Sequence, residues 1–238
     1  MPIRWLLAVA SLIFSTHAAQ ADVLTLDFGS LPSAQGWTYT SGGQSPIAES
    51  SVWSLSGGVL SQNSLAAGGR YSYYVNPIVD TTESFSLEFR ARVFQEIGGT
   101  STNHFAFGVQ VEFDDEFYLI TLAPGAIYSG VGGPALVVST AIDTTQFHTY
   151  LLTGQAETHS WQLSVDGVQV ATGNSWLADV GNLLVFGDLT SGPNASGEWT
   201  SLVFSQGIAP VPEPSSFILV GLTAAGAAGW RWRKRRAA

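Results

Sequence analysis

Phe85-Ser86-Leu87-Glu88-Phe89-Arg90-Ala91-Arg92-Val93 is apolar at every odd position and polar or charged at every even one. Successive strand side chains point to opposite faces, so the odd set predicts a core face and the even set a wet one. Phe105, Phe107, Val109, Val111 and Phe113 repeat the alternation, as do Trp161, Leu163 and Val165. One dry and one wet face per strand is the pattern of antiparallel sheets. Turn dipeptides punctuate these runs: Gly57-Gly58, Gly68-Gly69, Gly98-Gly99, Pro124-Gly125, Gly132-Gly133 and Asp166-Gly167. The last suits a type I′ hairpin, because both residues tolerate positive φ. No amphipathic helical period of useful length interrupts the series, so residues 22–207 are expected to form one β-sandwich or jelly roll.

Charge is distributed unevenly along the 238 residues. The formal net charge is −9, yet Arg231, Arg233, Lys234, Arg235 and Arg236 crowd the C-terminus. Residues 22–210 keep only Arg70, Arg90 and Arg92 against 17 acidic residues, a net of −14. Such a body repels nucleic acid and anionic lipid, which excludes both as partners. Cysteine is absent, so disulfides, zinc-thiolate sites and a cysteine nucleophile are excluded as well. A core drawn from about 190 residues can be stable without such staples.

Both ends read as addresses rather than fold. Arg4 precedes an apolar run from Trp5 to Phe14, and Ala19-Gln20-Ala21 supplies a small-x-small cleavage site before Asp22. Residues 1–21 are therefore expected to be a signal peptide, helical and removed by signal peptidase. At the far end, residues 208–216 form a Pro-rich linker, with Ser215 and Ser216 available as helix N-caps. Phe217 to Trp230 then run without a charge, which predicts a single transmembrane helix. Its length of about 21 Å is short of a bilayer core of about 30 Å. Trp230, Trp232 and snorkelling arginines accommodate the difference. The basic tail, residues 231–238, stays cytoplasmic by the positive-inside rule, so the body lies across the membrane.

Val211-Pro212-Glu213-Pro214, the short apolar helix and the Arg231–Arg236 cluster, in that order, resemble the PEP-CTERM sorting domain. The resemblance covers only about the last 28 residues. It implies an exosortase partner, cleavage near Pro-Glu-Pro, and an exopolysaccharide-producing Gram-negative host. The body would be anchored through residues 217–230 transiently, then released to the surface or matrix. A plain tail anchor would give the same topology without processing.

The body carries a looser resemblance. Phe147-His148-Thr149-Tyr150, the Val165-Asp166-Gly167 hairpin, Leu184–Asp188 and Trp199–Phe204 are similar to the second half of concanavalin A-like, laminin-G-like jelly rolls. Leu26-Asp27-Phe28 with Gly36-Trp37 resembles their opening. Within that fold, Glu112-Phe113-Asp114-Asp115-Glu116 resembles the E-x-D-x-E strand of laminarinase-like glycoside hydrolases. The resemblance implies Glu112 as nucleophile and Glu116 as acid/base, with Asp114 between them. A retaining mechanism needs such carboxyls about 5–5.5 Å apart. The residues also admit a plainer reading. An unbroken strand would bury Asp115, which is costly, so Asp114-Asp115 read as a hairpin loop with Glu112 and Glu116 solvated beside it.

A second candidate is a ligand face formed by Glu88, Arg90 and Arg92 beside Gln110 and Glu112, the two strands being neighbours. The alternative there is ordinary cross-strand ion pairing. His148 and His159 stand apart from one another, with His148 expected at a strand start. Calcium is a candidate ligand for the acidic loop at Asp114-Asp115, although no D-x-D-x-D-G loop is present. Asn194-Ala195-Ser196 is a glycosylation pattern without meaning in a bacterial host. The sequence thus predicts an exported sandwich that binds extracellular polysaccharide or another matrix component without cutting it. A secreted hydrolase and a purely structural matrix protein are the alternatives.

Overall fold

The computed structural model describes residues 22–42, 45–68, 70–78, 84–100, 103–113, 115–130, 136–178 and 181–207. The signal peptide, the sorting motif, the transmembrane segment, the basic tail and Asp114 lie outside the described residues. Among the described residues, no helix is long and apolar enough to cross a membrane.

The first strands are β1 (Asp22–Leu26), β2 (Thr38–Ser41), β3 (Trp53–Ser56), β4 (Val59–Asn63), β5 (Ser72–Pro77), β6 (Phe85–Ile97), β7 (Gly108–Phe113) and β8 (Glu116–Ala123). They are followed by β9 (Ala126–Ser129), β10 (Leu136–Ser139), β11 (His148–Gln155), β12 (Ser160–Val165), β13 (Val168–Asn174), β14 (Trp176–Leu177), β15 (Leu183–Asp188) and β16 (Asn194–Gln206). They form two antiparallel sheets. One runs β13-β12-β11-β6-β16-β4-β3, with β1 on β16. The other runs β10-β9-β8-β7-β15-β5-β2, with β14 on β8.

The alternation at residues 85–93 places its apolar set as expected: Phe85, Leu87, Phe89, Ala91 and Val93 are buried in the core between the sheets. Phe107, Val109, Val111 and Phe113 face them from the other sheet and are equally buried. Asp166 and Gly167, at φ 50° and 80°, close the two-residue turn between Val165 and Val168. β16 needs one correction to its period. A bulge at Thr200 separates the Trp199–Ala91 pair from Ser201–Arg90, so Trp199 and Leu202 both point inward although three positions apart. Trp199 then sits at the centre of the core, stacked on Phe107 at 4.4 Å and edge-on to Phe186 at 5.3 Å.

Candidate functional site

The register separates the two strands expected to share a ligand face. Glu88, Arg90 and Arg92 lie on β6, and Gln110 and Glu112 lie on β7, in different sheets. Both sets alternate with core residues, so they point away from the sandwich on opposite sides. The expected joint face is therefore corrected: alternation fixed each wet face but not which strands are neighbours. On its own side, Arg92 pairs with Glu198 of β16 at 2.7 Å. Its guanidinium also lies over Phe94 and Phe147, and Arg90 lies over Phe147 as well.

The paired-carboxylate expectation meets a similar obstacle. Phe113 pairs with Glu116 and Glu112 with Phe117, so the chain reverses between Phe113 and Glu116. Cross-strand partners share a face. Glu116 is thus on the core side with Phe113, whereas Glu112 is on the outer side. Carboxyls on opposite faces of a sheet cannot flank one glycosidic bond, which corrects the hydrolase reading. The hairpin was legible, but the expected solvation of Glu116 was not correct, because it is only 2% exposed. Its carboxylate accepts hydrogen bonds from the Ser175 hydroxyl at 2.5 Å and pairs with His159 Nδ1 at 3.0 Å. That bond raises the His159 imidazole above its ordinary value. Ser175 also donates its backbone N–H to His159 O, at 2.7 Å, so the cluster ties three segments at one end of the sandwich.

On the outer side of the β7 sheet a second group assembles. Gln110 donates from Nε2 to Glu112. Burial pushes the Glu112 carboxyl up, opposed by the Gly181 backbone N–H and by Gln110. Tyr71 and Tyr73 are stacked at 5.5 Å with 27° between their planes. The Tyr73 hydroxyl is raised by burial, then by Tyr71 and by Glu112. Register carries Tyr73 and Val75 of β5, Val185 of β15, and Gln110 and Glu112 of β7 on this one face. Tyr71 reaches its place by lying over Gly42, where a Cβ would fall 1.8 Å from the ring. Farther along, Tyr128 stacks on His104 at 4.1 Å, and His104 Nδ1 pairs with Glu96 at 2.7 Å. Two rings, a side-chain amide and a half-buried carboxylate can stack on a sugar and hydrogen-bond its hydroxyls. The tyrosines escaped sequence reasoning, although the Tyr71-Ser72-Tyr73-Tyr74 alternation carries the signal.

His148 begins β11, as expected, and pairs with Asp166: Nδ1 lies 2.6 Å from that carboxylate and Nε2 lies 3.1 Å from Asp143 O. That bond and the Thr149 N–H hold the Asp166 carboxyl low. Among the described residues, no group of three His, Asp or Glu is placed to hold a metal ion. The calcium expectation at Asp114-Asp115 rests on a loop only partly described.

Asp188 is the other deeply buried carboxyl. It receives the Ser64 hydroxyl, Asn194 Nδ2 at 3.1 Å and the Thr190 N–H at 3.3 Å. Burial nonetheless pushes its pKa up to about 7.

Residues 210–236 match the PEP-CTERM protein-sorting motif. The PEP-CTERM match spans the Pro-Glu-Pro, the apolar stretch and the basic cluster, and leaves the sandwich untouched. No curated protein matches the chain in sequence. The sandwich is similar to SCLam, a non-specific endo-β-1,3(4)-glucanase, at TM-score 0.52 and 14% identity, covering 80% of this chain and 92% of that one. It is also similar to a conserved carbohydrate esterase of Shiga toxin-encoding bacteriophage phi24B, at TM-score 0.50 and 13% identity, covering 73% of this chain and 91% of that one. At such identities the likeness shows the fold alone, a jelly-roll β-sandwich.

Proposed function

We propose that this chain is an exported, exosortase-sorted protein whose sandwich binds glycan on the outer face of the β7 sheet without cleaving it. Signal peptidase removes residues 1–21, the segment at 217–230 holds the chain in the inner membrane, and exosortase releases it near Pro212-Glu213-Pro214. Its destination is the surface or extracellular matrix of a Gram-negative bacterium, where extracellular polysaccharide is the partner. The PEP-CTERM match supports the sorting. The observation that carries the binding is the half-buried group formed by Tyr71, Tyr73, Gln110 and Glu112.

Titration of the full-length chain with soluble neutral glucans tests this. Tyr73→Ala is expected to weaken binding about tenfold, the loss of roughly 1.4 kcal/mol of stacking. Gly42→Ala is expected to do the same from a distance, because its new methyl displaces Tyr71. Glucan chain length is expected to stay constant over prolonged incubation. Shortening of the glucan that Glu112→Gln abolishes would restore the hydrolase. Absence of binding to every glycan tried would leave a purely structural matrix protein.

A further inference from the structure

The outer face of the β11–β12–β13 sheet, on the side opposite the tyrosine pair, holds a trough of about 420 Å³. Its floor is built from two cross-strand rows. Thr153, Gln162 and Thr172 are consecutive partners on β11, β12 and β13, and so are Gln155, Ser160 and Asn174. Beneath this floor Trp161 turns to the core side, its ring packed over Gly173 and its Nε1–H given to Asn174 O at 3.0 Å.

Two properties of this lining point to one ligand chemistry. First, no lining residue is charged, in a body whose net charge is −14. Second, among the described residues, the side chains of Thr153, Gln162, Thr172 and Asn174 have no hydrogen-bond partner. Hydroxyls and amides both donate and accept, which is what a sugar hydroxyl also does. A carboxylated sugar would gain no cation here and would meet the repulsion of the acidic body. Spacing agrees with chemistry. Neighbouring strands lie about 4.7–4.9 Å apart, so an extended saccharide crossing them meets roughly one polar side chain per sugar ring.

We propose that this trough is a second glycan site, selective for an uncharged saccharide chain, and that the protein bridges two such chains from opposite faces. The bridging rests on the proposed function, whereas the trough itself does not. Polymer cross-linking then follows from having two sites back to back, with no dimer needed.

Calorimetric titration of the full-length chain in detergent separates the two sites. The probes are glucohexaoses linked β-1,3, β-1,4 and α-1,4, with an oligogalacturonate as the charged control. Two equivalents of at least one hexaose are expected to bind. Gln162→Ala with Thr172→Ala should remove one equivalent and Tyr73→Ala the other, each weakening its site at least tenfold. These trough side chains are exposed and otherwise unpartnered, so an unchanged melting temperature certifies the fold. One equivalent, unaffected by the trough variant, overturns the inference and leaves the proposed function standing. One equivalent lost only in the trough variant does the reverse. Tighter binding of the oligogalacturonate, or no heat from any hexaose, overturns the trough as a neutral-sugar site.

Discussion

Trp199→Ala is expected to lower the free energy of unfolding by about 3–5 kcal/mol, the range for emptying a large buried aromatic site. Trp199 is fully buried and touches both halves of the core. Phe89 of its own sheet lies at 5.9 Å, and Phe107 and Phe186 of the facing sheet at 4.4 and 5.3 Å. Deleting the indole therefore opens a void between layers rather than at an edge, where neighbours could close over it. Trp199→Phe is expected to cost less than half as much. It keeps a ring against Phe107 and removes an indole N–H that has no acceptor among the described residues. Chemical unfolding of the three proteins checks the order. Equal losses for the two variants would mean that the indole is held by a bond to something outside the described residues.

The second large effect is in pH. A carboxyl whose folded pKa lies above its unfolded value keeps a proton that the unfolded chain has released. Stability then falls as pH rises between the two values. For Asp188 the window runs from the ordinary 3.8 to about 7. The penalty grows across that window to on the order of 4 kcal/mol. Glu96 and Glu112, both raised by burial, add in the same direction. His159, raised by its bond to Glu116, contributes stability that is likewise lost as pH increases through its folded value. Asp143 and Asp166 are held low, so they remove stability only in stronger acid. The melting temperature is thus expected to peak near pH 4, where the Asp188 loss begins, and to drop by roughly 10 °C by pH 8. Asp188→Asn has no proton to release and should flatten most of that slope. An unaltered slope would show that the Ser64 and Asn194 bonds hold the carboxylate charged throughout.

Period-two reading found the strands because each has one face in the core, and turn chemistry, which is local, found the Asp166-Gly167 hairpin and the reversal between Phe113 and Glu116. It failed where the information was not local. Across the sheet, Arg92 meets Glu198, Arg90 meets Thr149 and Ser201, and Glu88 meets Leu151 and Val203, none of them Gln110 or Glu112. Strand order in a jelly roll is set by which distant segments pair, and alternation is silent on that. Glu116 shows a second limit. A carboxylate beside a turn reads as solvated unless His159 and Ser175, 43 and 59 residues away, are known to meet it. The candidate site was half legible: Gln110 and Glu112 were singled out, and Tyr71 and Tyr73 became visible only as a stacked pair.

The sorting motif was fully legible, because its parts are consecutive in the chain. Its consequence is open to a direct measurement: the intact mass of the protein, recovered from membrane and from medium, for the natural chain and for Glu213→Ala in an exosortase-bearing host. Expected is a body that begins at Asp22, ends near Pro212 and leaves the membrane only when Glu213 is present. A chain that keeps residues 217–238 and stays in the membrane, whichever residue stands at 213, would contradict it and make the protein a tail-anchored sandwich.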